Sequence, residues 1–206
     1  MDKKFEITGT TKLTCLLGNP VSHSISPAMH NASFQKLGLD YTYLAFSVDE
    51  THFERAVDGL ITLGAAGWNC TMPLKRLMYE RVDTLSDSAL LSGAVNTVVN
   101  RDGQLFGDNT DGYGFLQSMR DAGFSCEGKH AVLLGSGGAA AAILAQAALD
   151  GAAAIDVFAR SASASTRLIA EEIQRIHARC DCRIRLFDLA DSTSCLLYTS
   201  PSPRDS

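Results

Sequence analysis

The stretch that decides the fold is HAVLLGSGGAAAA, His130–Ala142. An apolar run of strand length stops at Gly135-Ser136-Gly137-Gly138, and a run of alanines begins. An apolar run without alternation is expected of a parallel strand covered on both faces. The turn that follows is almost bare of side chains, so it is either a tight corner or a place where a phosphate approaches the backbone. Its spacing is Gly135, Gly137, Ala140, the G-x-G-x-x-A pattern, with a strand before it and a helix after it. That context favours a dinucleotide-binding turn. Gly135 permits the turn, Gly137 leaves room for a pyrophosphate, and Ala140 lets helix and strand pack closely. Free N–H groups at the helix N-terminus then face the anion.

Downstream, AAIDVFAR reads as a second apolar strand, SASTRLIAEEIQRIHAR as a helix and DCRIRLFDL as a third strand. Strand, glycine turn, helix, strand, helix, strand is the mononucleotide-binding half of a doubly wound sheet. NAD sites place an acidic residue about 20 residues beyond the glycines, at the end of the second strand. Here that place holds Arg160, followed by Ser161 and Ser163. An arginine fork suits a 2′-phosphate, so NADP is expected over NAD. Asp156 lies within the strand pattern and is not read as the ribose ligand.

Upstream, strands and helices alternate. KLTCLLG reads as a strand, and SPAMHNASFQKLG as a helix capped by Ser26 and closed by Gly38. YTYLAFSV is a strand, and THFERAVDGLITLG a helix opened by a Thr51–Glu54 capping box. AAGWNCTMP is a short strand entering a turn, LKRLMYERV a helix, and AVNTVVNRDGQLFGDNTD a hairpin turning at Arg101-Asp102-Gly103. GYGFLQSMRDAG is a helix linking the halves. The expected class is α/β: an N-terminal α/β substrate domain over 1–111, and a truncated Rossmann-type nucleotide-binding domain over 112–194.

Composition narrows the partners. The chain has 206 residues, 46% of them hydrophobic and 20% charged, with a net charge of −5. An acidic chain without a Lys/Arg cluster argues against nucleic acid and anionic membranes. Its apolar runs are too short to span a bilayer. The N-terminus has no apolar signal core, so a cytoplasmic location is expected. The six cysteines lack zinc-ligand spacing, which points to reduced thiols and no metal. The oligomeric state, homodimer included, stays open.

Four polar clusters stand at strand ends, where open α/β sheets hold ligands: GNPVSHSISPAMHN (Gly18–Asn31), NCTMPLK (Asn69–Lys75), GAVNT (Gly93–Thr97) and GDNTDGYG (Gly107–Gly114). Singly, each reads as a cap or a turn. Together and in this order, with the glycine turn, they resemble the shikimate dehydrogenase family, over about Leu13 to Leu189. The resemblance implies NADPH-dependent, reversible reduction of 3-dehydroshikimate to shikimate in aromatic amino-acid biosynthesis. It implies that Ser24 and Ser26 bind the substrate carboxylate, that Asn69, Thr71 and Asn96 bind ring hydroxyls, and that Lys75 and Asp111 form the catalytic pair. Gly135–Ala139 would hold the pyrophosphate, and Arg160 with Ser161 the 2′-phosphate.

Two departures stand out. The family's Asn-Arg-Thr after the second nucleotide strand is Ala159-Arg160-Ser161 here, which weakens the NADP preference. The family's later strands, nicotinamide-contacting segment and returning helix with a substrate-binding Gln have no counterpart. The tail, CLLYTSPSPRDS over 195–206, resembles translated sequencing-adapter read-through. The chain is therefore expected to be a fragment of a protein that continues beyond about Ser194. Alternatives are a quinate/shikimate dehydrogenase using NAD, an inactive fragment, and a regulatory module that senses dehydroshikimate without needing Lys75 and Asp111.

Overall fold

The computed structural model describes residues 6–161 and 163–190, so the expectations for 191–206 lie outside the described residues. The chain divides into two units, Met1–Thr110 and Asp111–Ser206.

In the first unit, β1 (Lys12–Gly18) pairs in parallel with β2 (Tyr41–Ser47) on one side and with β3 (Gly67–Cys70) on the other. Helix α1 (Ser26–Leu37) makes the first crossover, and a 3₁₀ turn (Glu50–His52) with α2 (Phe53–Thr62) makes the second. Then come α3 (Lys75–Arg81), β4 (Thr84–Leu85), α4 (Asp87–Ser92) and a hairpin of β5 (Thr97–Arg101) and β6 (Gln104–Asp108). The sheet order is β2-β1-β3-β5-β6-β4. β5 runs antiparallel to both β3 and β6, so the parallel run β2-β1-β3 ends at β3, and β4 pairs in parallel with β6 at the far edge. Asp102 and Gly103 turn the hairpin with φ of 53° and 90°. Two successive positive φ values match the right-handed twist of the flanking strands.

One face of this sheet carries Cys15, Leu17, Trp68, Cys70, Val98 and Leu105, packed against Phe53, Val57 and Leu60 of α2 and Met78 of α3. Fully burying a side chain such as Phe53 or Met78 contributes about 1.5–3 kcal/mol. The opposite face holds a smaller cluster of Leu16, Val21 and Tyr43 with Phe34 and Ala45.

Two expected caps are corrected. The 3₁₀ turn is capped by Asp49, whose side chain accepts from His52 N, so Thr51 does not head a capping box. Thr51 Oγ1 instead bonds Asp49 Oδ1 at 2.7 Å. Helix α1 takes Ile25 as N-cap with no side-chain bond, and Ser26 is already in its first turn. Strand β4 and helix α4 are additions to the sequence reading. α4 has a Ser86 cap accepting from Ala89 N and a left-handed Gly93 at its end.

In the second unit, α5 (Asp111–Asp121) precedes β7 (His130–Leu134), α6 (Gly138–Leu149), β8 (Ala154–Ala159), α7 (Ala164–His177) and β9 (Arg183–Asp188). The three strands form a parallel sheet in the order β7-β8-β9. Central β8 is buried at every position. β7 departs from the expectation of two covered faces. It lies at the sheet edge with β8 as its described neighbour, and Val132 and Leu134 are 46% and 71% exposed. α5 packs on α6 closely enough that a Cβ on Gly112 would fall 2.1 Å from the Ala142 carbonyl oxygen. The glycine of the N-T-D-G motif therefore has a packing reason of its own.

Asp156 is fully buried on β8 and takes two hydrogen bonds from Arg185, at 2.8 and 2.6 Å, and one from His130 Nε2 at 2.9 Å. Burial pushes its carboxyl up, but the Arg185 and His130 bonds outweigh it and leave the net shift downward. Asp156 is thus committed inside the sheet, in keeping with its exclusion as a ribose ligand.

Glu172 of α7 is 1% exposed, and its Oε1 has no hydrogen-bond partner among the described residues. Burial, opposed by Arg175 and a backbone N–H at Ala145, raises its carboxyl to about 9. A carboxyl raised on folding binds its proton more tightly in the native state. Its stabilising effect is full below the ordinary value of 4.5 and is lost as pH rises through about 9. The slope is at most roughly 1.4 kcal/mol per pH unit. Thermal unfolding followed from pH 5 to 9 should show the midpoint falling with pH, and Glu172→Gln should flatten that fall and raise the midpoint at pH 8. An unchanged pH slope in the variant would show that Glu172 is ionised in the fold.

Candidate active site

The first unit places its polar side chains where β3 ends and β5 begins. Asn69 on β3 lies opposite Thr97 on β5. Asn69 Nδ2 donates to the Asn96 carbonyl oxygen at 3.1 Å and to Thr97 Oγ1 at 3.0 Å. Its Oδ1 accepts from the Tyr43 hydroxyl at 2.7 Å. Thr97 Oγ1 in turn donates to Asn96 Oδ1 at 2.8 Å, and the same oxygen accepts from Thr110 N at 3.0 Å. Asn96 Nδ2 donates to Thr110 Oγ1 at 3.1 Å. Tyr43, Asn69, Asn96, Thr97 and Thr110 are therefore one hydrogen-bonded group drawn from β2, β3, β5 and two loops.

Of the expected ligand residues, Asn69 and Asn96 are joined directly by this group. Thr71 stands just beyond β3, its N–H bonded to the Leu17 carbonyl oxygen at 2.9 Å. Gly18 makes room for it, since a Cβ there would lie 2.2 Å from Thr71 Cγ2. Lys75 is the first residue of α3, and its carbonyl oxygen accepts from Val95 N at 2.9 Å, which ties α3 to the GAVNT loop. Burial, reinforced by Cys15, pushes the Cys70 thiol up to about 12, while the Lys75 charge pulls it the other way. Ser24 and Ser26 share a loop bond, Ser26 N to Ser24 Oγ at 3.2 Å, apart from the Asn69–Asn96 group. Asp111 opens α5 in the second unit, directly after Thr110 in the chain. Tyr43, Thr97 and Thr110 were not picked out as site residues. Thr97 and Thr110 lie inside the quoted motifs, whereas Tyr43 read only as a strand former.

Tyr43, Asn69 and Thr97 also line an open cavity of about 320 Å³, with His30, Phe34 and Trp68 among its walls.

The second unit carries the glycine turn. Gly135 has φ of +112°, a conformation that L side chains rarely adopt, and its N–H bonds the Phe158 carbonyl oxygen at 2.8 Å. Gly137 is the N-cap of α6 and supplies no side-chain cap, which leaves the helix's first N–H groups to another acceptor. A Cβ on Gly137 or Gly138 would meet nothing within 4 Å, so neither glycine is required by internal packing. Ser136 Oγ reaches Ser165 Oγ at 3.0 Å and Thr166 Oγ1 at 3.2 Å. Thr166 Oγ1 donates to the Arg160 carbonyl oxygen at 2.8 Å, so hydroxyls join the glycine turn to the Arg160 turn. Arg160 and Ser161 are exposed at the end of β8, and Ala139 is exposed in the first turn of α6. The turn geometry and the open space beside it fit a dinucleotide phosphate.

Residues 16–98 match the family described as shikimate dehydrogenase substrate binding domain. A protein of Listeria monocytogenes named shikimate dehydrogenase (NADP(+)) is 44% identical over 185 residues, which is 90% of this chain and 63% of the relative. Residues 16–98 are thus similar to the substrate-binding domain of shikimate dehydrogenases, and the likeness to such enzymes extends along most of this chain. Among solved structures, shikimate 5-dehydrogenase from Listeria monocytogenes, in complex with shikimate and NAD, has a TM-score of 0.87 at 44% identity, over 91% of this chain and 65% of that one. The 5-ketofructose reductase of a Gluconobacter strain has a TM-score of 0.80 at 34% identity, over 88% of this chain and 64% of that one. The chain thus spans slightly less than two thirds of the length of these relatives.

The shikimate dehydrogenase motifs become physical here: the glycine of G-N-P gives space to the threonine of N-C-T, and N-C-T bonds to G-A-V-N-T. Gly18→Ala should lower the thermal midpoint, because overpacking costs about 1–3 kcal/mol and about 2–4 °C is lost per kcal/mol at this size. A scanning calorimetry trace identical to wild type would show that Thr71 is free to move aside.

Proposed function

We propose that the protein is an NADP-dependent shikimate dehydrogenase, reversibly reducing 3-dehydroshikimate to shikimate in the cytoplasm, with residues 1–111 taking the substrate and 112–194 the nucleotide. The observation that carries this reading is the Asn69–Asn96–Thr97 group at a strand end, together with the likeness to shikimate dehydrogenases. Such an array suits a small polyhydroxy ligand, and the acidic chain suits neither nucleic acid nor an anionic membrane.

Ser24 and Ser26 take the carboxylate, and Asn69, Thr71 and Asn96 take ring hydroxyls. Gly135, Ser136, Gly137, Gly138 and Ala139 hold the pyrophosphate, and Arg160 with Ser161 holds the 2′-phosphate. The bound cofactor supplies the hydride equivalent. Hydride addition to the ketone carbon leaves negative charge on oxygen, and the Lys75 ammonium stabilises that charge and gives up a proton to it. Asp111 is the second member of the proposed acid–base pair. In the oxidative direction Lys75 takes the hydroxyl proton back.

A second reading, a quinate/shikimate dehydrogenase working with NAD, is favoured by Ala159, which cannot supply the hydrogen bonds of the family's Asn. Rates with NAD and NADP measured side by side separate the two.

The purified protein mixed with shikimate and NADP should form reduced cofactor, read by its absorbance. Lys75→Met should lower kcat by about 10²–10⁴ while shikimate binding changes little. Turnover of another hydroxy compound with none of shikimate would overturn the assignment.

A further inference from the structure

The His30-Asn31 pair of the first motif has no part in the chemistry above, and the structure gives it one through Tyr43. β2 is an edge strand, so the outward backbone groups of Tyr43 lack a ladder partner. Asn31 of α1 supplies it: Asn31 Nδ2 donates to the Tyr43 carbonyl oxygen at 2.9 Å, and Tyr43 N donates to Asn31 Oδ1 at 2.8 Å. The His30 ring stacks on the Tyr43 ring at 4.3 Å with 17° between planes. Burial lowers the His30 imidazole, which favours its neutral form. Tyr43 itself is 2% exposed, held at its backbone by Asn31 and at its ring by His30. Burial pushes its phenol up, so its proton stays in place.

That proton has a fixed destination. The Asn96 carbonyl oxygen can only accept, so the Asn69 atom facing it is the amide nitrogen. Both Nδ2 hydrogens are then engaged, by Asn96 and Thr97, and the Tyr43 hydroxyl donates to Oδ1. An amide oxygen has two acceptor sites, and Tyr43 uses one. Asn69 can offer a ligand an acceptor, and turning the amide over would set its oxygen against the Asn96 carbonyl oxygen and break that bond.

We infer that Tyr43 is a positioning residue of the substrate site: with the polarity of the Asn69 amide fixed by the Asn96 carbonyl oxygen, the Tyr43 hydroxyl holds Asn69 Oδ1 in place so that it accepts from a ligand hydroxyl and rejects a group that cannot donate. A site built to pair a hydroxyl discriminates against the analogue lacking it. The inference rests on the proposal that this site takes shikimate.

The test is calorimetric titration of the protein with shikimate and with each of its mono-deoxy analogues. Tyr43→Phe keeps the ring and the Asn31 clamp and removes the proton. It should weaken shikimate about tenfold, the scale of one net hydrogen bond. The one analogue lacking the hydroxyl that Asn69 reads should bind wild type and variant equally. Thr97→Val, which frees the other end of the amide, should give the same analogue-specific pattern. Equal shikimate affinity in wild type and Tyr43→Phe, or a loss spread evenly over shikimate and all analogues, would overturn the inference and leave the site assignment standing. Failure of wild type to bind shikimate would overturn the site assignment and this inference with it.

Discussion

The fold of the first unit turns on how the Asn69 amide is satisfied. Asn69 sits at the seam where the parallel strands give way to an antiparallel one, opposite Thr97. A half-buried amide at such a seam must find partners or destabilise the sheet. It finds them on three different segments, Tyr43, Asn96 and Thr97, so one side chain closes the strand ends together. The same bonds leave Oδ1 one further acceptor site, on which the proposed recognition of a ligand hydroxyl rests. Gly18 and Thr71 meet beside it because β1 and β3 are direct neighbours.

The second unit solves a different problem with the same economy of side chains. Its central strand is wholly buried, so the turn after β7 must leave the sheet abruptly, and Gly135 does so in a conformation that suits glycine. Gly137 and Gly138 have no internal neighbour that forbids a Cβ. Their openness is best accounted for by something that approaches from outside. The hydroxyls of Ser136, Ser165 and Thr166 then bind this turn to the one that carries Arg160, so the glycine turn and the Arg160 turn are not independent.

Much of this was legible in the sequence. The glycine turn, the hairpin at Asp102-Gly103 and the alternation of strands and helices follow from local chemistry, and the structure has them. Asn69 and Thr71 stand at a strand end because their motif follows an apolar run, whereas Asn96 lies just before β5, after helix α4. What escaped was set by tertiary partners. Asp49 and Thr51 are both good cap formers, and only the intervening 3₁₀ turn decides between them. Tyr43 is indistinguishable from any other aromatic strand former until α1 and β3 lie against it. The apolar run of β7 reads as covered on both faces, whereas among the described residues Val132 and Leu134 are exposed.

A crystal structure of the protein with shikimate bound tests the central claim most directly. The account predicts a ring hydroxyl within hydrogen-bond distance of Asn69 Oδ1, with the Tyr43–Asn69 bond intact. Shikimate lodged away from Asn69, or an Asn69 amide turned so that its nitrogen faces the ligand, would contradict it.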